Sequence, residues 1–414
     1  MTTIRDWYPG HAGLRRAVLV VAPVSLLALQ APAWGMSLAD TVQQSLERRP
    51  MVNTYKAQRE VAKGYQRQSE QWLGGEPQAA LRYQSDQMLS DDGLRETEGY
   101  VELPLWLPGQ RQAREALASR LLAEADRGPE QLRWKVSEQV RERAWTLRLA
   151  QAARVLAEHQ LESTKAFEDE IRRRVTAGEL ARTDLILAQQ ETSRRESVHQ
   201  EAIATEQQAR AAWVSYTGFE QLPDNLEEDF RASGEIGDSH PLLAAAAATV
   251  QRQRAARDDA RISQRANPLL YLGARRERGS SDDPHINSLG AEIKIPFGGA
   301  GHAAPAIAEA EAALTEAEAK YLETRNELEL ALEQQRLALE QAKTGVALAR
   351  NRNQLAQEAL RLSERAFELG ESNLRALLLA RQDGAAAALN LELRSLERLR
   401  DIARYNQALG VIPQ

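Results

Sequence analysis

Residues 292–302 read Glu-Ile-Lys-Ile-Pro-Phe-Gly-Gly-Ala-Gly-His, and residues 102–112 read Glu-Leu-Pro-Leu-Trp-Leu-Pro-Gly-Gln-Arg-Gln. Each stretch alternates apolar with polar or proline residues, meets glycine, and opens a long run of helix formers. Around residues 292–302, Leu289, Ala291, Ile293, Ile295 and Phe297 share one parity, with Gly290, Glu292, Lys294 and Pro296 on the other. Around residues 102–112, Val101, Leu103 and Leu105 oppose Tyr100, Glu102 and Pro104. A period of two marks β-strands with one apolar face. Such alternation suits a water-soluble hairpin. It also suits a membrane barrel with Val101, Leu103, Leu105, Ile293, Ile295 and Phe297 facing lipid and Glu102, Glu292 and Lys294 facing the lumen.

The two stretches belong to a repeat of 191–192 residues. Pro50, Pro77, Pro104, Gly178 and Gly218 recur as Pro241, Pro268, Pro296, Gly370 and Gly410. A fixed spacing sustained over the chain is the mark of duplication. The expected organisation is a first repeat over 34–218, a linker over 219–240 rich in Gly, Pro and charge, and a second repeat over 241–414. Each repeat should hold a leading helix (Ser37–Leu73; Pro241–Ala266), two strands joined by a polar loop (Gln87–Gly99; Glu277–Ser288), a long helical run, a glycine break and a return helix.

The long runs decide the fold class. From Ala306 to Leu369 there is no proline and a single glycine, Gly345. At ~1.5 Å per residue that span makes roughly 95 Å of helix, stable only when packed against others as a coiled coil. Leu328, Leu332, Leu339 and Ala342 recur at steps that allow such packing. In the first repeat Gly128-Pro129 interrupts the run, and proline there should kink or split the helix. The chain is therefore mainly α, a long helical coiled coil carrying a β-hairpin pair. Four strands cannot close a barrel, and open edges are not tolerated in hydrocarbon. A membrane reading thus requires several copies to pool their strands.

Composition narrows the function. The 414 residues carry a net charge of −6 with both signs interleaved and no basic block, so no nucleic-acid partner is expected. There is no cysteine, which excludes disulfides, thiolate metal sites and a cysteine nucleophile. The six histidines are scattered, Gly298–Gly301 lacks the Lys-Ser/Thr of a phosphate loop, and no nucleophile constellation occurs. No enzyme activity, cofactor or metal site is expected. Arg15-Arg16, the 13-residue apolar run Ala17–Leu29 and Ala31-Pro-Ala33 have the parts of a secretory signal, placing cleavage after Ala33 and a signal peptide at 1–33.

At these residues the sequence resembles the TolC family of outer-membrane efflux proteins, particularly its heavy-metal, CzcC-like branch. The resemblance lies in the opening SLADTVQQSLERRP (Ser37–Pro50), in the joins LPLWLPGQRQA and IKIPFGGAGHA, and in the breaks AGELARTD and LGESNLRA. It spans essentially all of the chain after residue 33. It implies a homotrimer whose four strands per chain pool into a 12-stranded outer-membrane barrel and whose helices form a tunnel across the periplasm. The tips would be Gly178, Glu179, Leu180, Thr183 and Asp184, with Gly370, Glu371, Ser372, Asn373 and Leu374. They would meet a periplasmic adaptor (membrane fusion) protein and an inner-membrane pump of RND type. Leu379 stands where related sequences often carry an acidic residue. The implied cargo is metal cations or small toxic compounds. A type I protein-secretion duct and a periplasmic coiled-coil structural protein are the alternatives.

Overall fold

A computed structural model describes residues 36–231 and 234–414; the export signal expected at 1–33 lies outside them. The described chain is mainly helical with one antiparallel sheet. Its elements are α1 (Leu38–Glu47), α2 (Met51–Ser69), β1 (Gln78–Ser85), β2 (Arg95–Pro104), α3 (Gln110–Thr176), α4 (Arg182–Thr217), α5 (Pro241–Ile262), β3 (Leu269–Arg278), β4 (Ile286–Lys294), α6 (Ala300–Glu368) and α7 (Leu374–Ala408).

The two long helices hold 67 and 69 residues, each about 100 Å at ~1.5 Å per residue. Along its length α3 packs against α2 and then α4, and on its other flank against α5 and α7. Helix α6 packs against α5 and α7. One continuous rod thus spans two shorter helices laid end to end. Alanine, leucine, glutamate and arginine favour these rods locally. Pairs such as Glu333–Arg336 (2.7 Å) and Glu358–Arg361 (2.6 Å) lace their exposed faces, each worth little alone.

The expected leading helix Ser37–Leu73 is instead two helices. Arg48 caps α1 and Pro50 opens α2, because proline can begin a helix but cannot donate within one. Helix α5 likewise begins at Pro241 but ends at Ile262, short of Ala266. The helix is not split at Gly128-Pro129: α3 runs through Pro129. Gly128 is buried there, and a Cβ on it would meet the Tyr55 ring at 2.1 Å. The glycine lets α2 and α3 approach closely.

The strands run further into the polar segments than expected, because charged residues pair across them. Arg275 lies 3.0 Å from Glu96, at positions read as loop on the first repeat. The connecting loops shrink to residues 86–94 and 279–285.

The main core surrounds the meeting of α1, α3, α4 and α7, with Val42, Val140, Leu147, Trp213 and Ala403 fully buried. Two matching joints lie there. The C-terminal carbonyls of α4, Thr217 and Tyr216, accept from Arg48 and Arg49 (2.7 and 2.9 Å) at the start of α2. The end of α7 meets the start of α5, where Gly410 at φ +84° lies against His240 and Pro241. The linker is anchored by Arg141, buried on α3, whose guanidinium forks onto Glu228 at 2.7 Å and 2.7 Å.

Candidate membrane sheet and helical tips

The strands form one sheet in the order β1-β2-β3-β4, all antiparallel. The inner pair, β2 with β3, joins strands far apart in the chain. Register then aligns the two faces. Leu103, Leu270 and Ile293 form one row, Ala79, Val101, Leu272 and Ala291 the next, and Leu81, Gly99, Ala274 and Leu289 a third. The other face carries Glu102, Tyr271 and Glu292, then Arg82, Glu98 and Arg275. A single sheet therefore has an apolar face and a charged face, as side-chain alternation requires.

Of the residues expected to face lipid, Val101, Leu103 and Ile293 lie within strands on the apolar face. Leu105, Ile295 and Phe297 lie just past the strand ends, because the ladder stops at Pro104 and at Lys294. Glu102, Glu292 and Lys294 share the charged face, where the Lys294 ammonium sits 3.8 Å from the centre of the Tyr271 ring. Sequence reasoning assigned no face to β1 or β3. The signal was present in Leu270-Tyr-Leu-Gly-Ala-Arg275, whose alternation places Leu270, Leu272 and Ala274 opposite Tyr271 and Arg275.

Much of the apolar face is exposed: Leu289 is 89% exposed and Leu81 79%, and past the end of β4 Phe297 is 93% exposed. Among the described residues β1 and β4 each pair on one side only. No described helix is long and apolar enough to cross a membrane.

At the opposite ends of the long rods, both reversals close by one device. Gly178 N–H donates to Val175 (3.0 Å) and Glu179 N–H to Arg174 (2.9 Å). Gly370 and Glu371 donate in the same way to Phe367 and Ala366 (3.1 and 2.8 Å). This paired closure needs a left-handed residue, and the two glycines hold φ +82° and +77°. The return helices start differently. Asp184 accepts from the Ala181 N–H at 3.2 Å, whereas Asn373 caps α7 by accepting from Ala376 at 2.9 Å.

The tips divide into surface and core. Gly178, Glu179, Thr183, Gly370, Glu371 and Asn373 are exposed, and Ser372 and Asp184 half-buried. Leu374 is not a surface residue. It is 2% exposed in a cluster with Phe167, Ile171, Phe367, Leu377 and Leu378, against which Leu180 packs. The correction follows from helical spacing: Leu374, Leu377 and Leu378 share the inner face of α7. Arginines fasten this cluster from both sides, Arg381 at 4.0 Å over Phe167 and Arg174 at 5.1 Å over Phe367.

Above the tips the buried Glu191 of α4 accepts from Arg194 (3.0 Å), Arg195 (2.8 Å) and Gln382 of α7 (2.7 Å). Burial pushes its pKa up, but the hydrogen bonds from Arg194 and Arg195 outweigh this and hold it below the ordinary carboxylate value. No group of His, Asp and Glu suited to hold a metal ion occurs among the described residues.

No family model matches the chain, and no curated protein matches it. Solved structures do resemble its fold. The Campylobacter jejuni CmeC outer membrane channel matches with TM-score 0.68 at 15% identity, over 90% of this chain and 85% of that one. The outer membrane protein VceC of Vibrio cholerae gives 0.69 at 17%, over 90% and 96%. CusC, studied for transmembrane channel formation, gives 0.72 at 14%, over 90% and 92%. At these identities the likeness is one of fold.

Proposed function

We propose that this chain is the subunit of an outer-membrane duct in a tripartite efflux system, and not an enzyme. Three copies pool their strands into a 12-stranded barrel, and their helices line a passage across the periplasm. The observation that carries this reading is the sheet: an exposed apolar face, a charged face behind it, and two unpaired edges, set on rods about 100 Å long. Apolar side chains left in water forgo roughly 1.5–3 kcal/mol each, so such a face is expected to be covered. Lipid covers it if the edges are closed. The names of the structural neighbours, which call several of them outer membrane channels, support the same reading.

The exposed tip residues Gly178, Glu179, Thr183, Gly370, Glu371 and Asn373 then form the end that meets a periplasmic adaptor, behind which an RND-type pump supplies the cargo. Metal cations or small toxic compounds are the proposed cargo, following the resemblance to the heavy-metal branch. The test is fractionation with a resistance assay. The protein should pellet with outer membrane, require detergent for release, and restore resistance to a strain lacking its own channel. Recovery in the soluble periplasmic fraction would overturn the proposal.

A further inference from the structure

The internal repeat specifies how one copy meets the next, and we infer that β4 of one copy pairs with β1 of the following copy with Glu292 opposite Arg82 and Ile293 opposite Leu81. This rests on the pooled-barrel reading and adds the register and the residues of the seam. The rule comes from the hairpins. Moving β1 by 191 residues and β2 by 192, the spacings of Pro77–Pro268 and Pro104–Pro296, carries the pair Gln78–Glu102 onto Leu269–Lys294. That second pair is the one β3 and β4 form. The two hairpins thus share one register.

The inner pair, β2 with β3, is the junction between a first and a second repeat. Its counterpart is a junction between β4 and a following β1, which a single chain leaves open. Under the same shifts Tyr100–Gly273 becomes Glu292–Arg82, Val101–Leu272 becomes Ile293–Leu81, and Gly99–Ala274 becomes Ala291–Tyr83. Side-chain chemistry agrees with the result. The charged face gains an opposite-charge pair, and the apolar face gains Ile293 beside Leu81, which are 59% and 79% exposed in the single chain. A slip of two residues would set Lys294 opposite Arg82 in one direction, a destabilising like-charge pair. In the other direction it would leave Arg82 opposite Gly290. A slip of one would set Ile293 against Arg82 and mix the two faces.

The helices are arranged by the same rule. Helix α3 is flanked on both sides, by α2 and α4 and by α5 and α7, whereas α6 packs on α5 and α7. Along α6, Leu330, Leu337, Leu348, Leu355 and Leu362 are each more than half exposed. Steps of 7 and 11 residues keep them on one stripe. The occupant that the repeat specifies for this flank is α2 and α4 of a second copy. The contact is head-to-tail, and it forms a ring when the rotation closes.

The absence of native cysteine makes disulfide trapping clean. The double variant Arg82→Cys/Glu292→Cys should form intersubunit disulfides in the detergent-extracted protein. The slipped pair Gln84→Cys/Glu292→Cys should give about tenfold less, since diagonal positions ~7–8 Å apart exceed disulfide reach. Arg82→Glu should weaken the oligomer, and adding Glu292→Arg should restore it. Light scattering in detergent reads the oligomer independently of any cross-link. An intact oligomer linked through the slipped pair would overturn this seam while leaving the duct standing. A protein that is monomeric in detergent would overturn both.

Discussion

Replacing Leu374 with alanine removes a side chain that the tip cluster surrounds, at a cost of about 2–5 kcal/mol for a fully buried leucine. Limited proteolysis should then cut near residues 366–376 at protease levels the parent chain resists. Glu179→Lys should leave that resistance unchanged and, if the exposed tip residues contact an adaptor, reduce adaptor cross-linking. The contrast separates residues that build the tip from those that present it. Glu191 gives a second test at this scale. Its folded pKa is depressed, so its contribution is complete above the unfolded value of ~4.3 and is lost as pH falls through the folded value. Glu191→Gln should lower the melting temperature at pH 7 and make it fall less steeply below pH ~4. An equal slope in variant and parent would remove Glu191 from the acid response.

The strands allow a parity test at the scale of the element. Ile293→Arg places a charge on the apolar face and should cost ~2–4 kcal/mol if it lies near mid-bilayer, whereas Lys294→Arg keeps its sign on the other face. Outer-membrane yield after heat treatment should fall for the first and hold for the second. Equal losses would count against the barrel. Parity was legible in the sequence because a period of two needs no tertiary knowledge, and so were the rods and both glycine reversals. The split at Pro50 is legible in the chain, since proline opens a helix more readily than it continues one. That α3 is not split was not legible, because the contact that fixes it there, the Tyr55 ring of α2 over Gly128, comes from another helix. The burial of Leu374 was obscured for a related reason. A leucine beside a turn reads as surface until the neighbouring hairpin supplies Phe167 and Ile171. The strand extension through Glu96 was hidden because its charge finds a partner, Arg275, only across the ladder.

For the whole molecule, export and assembly are the expected outcomes to measure. The N-terminus of the envelope protein should be Trp34, read by Edman sequencing, and the detergent-solubilised species should have three times the mature chain mass. Retention of Met1 would remove the export reading. The rods carry a mechanical consequence. The joints between α4 and α2 and between α7 and α5 are the places where a column of short helices could bend. Each lies beside an unbroken stretch of α3 or α6, and Arg48, Arg49 and the buried Arg141–Glu228 pair bind α2, α4 and the linker there. The arrangement is that of staggered masonry, in which no seam passes through the full thickness of the wall. A displacement imposed at Gly178 and Gly370 is therefore expected to be resisted at mid-height. The expected path is along the rods as tilt or twist, so the sheet end should register what happens at the tips.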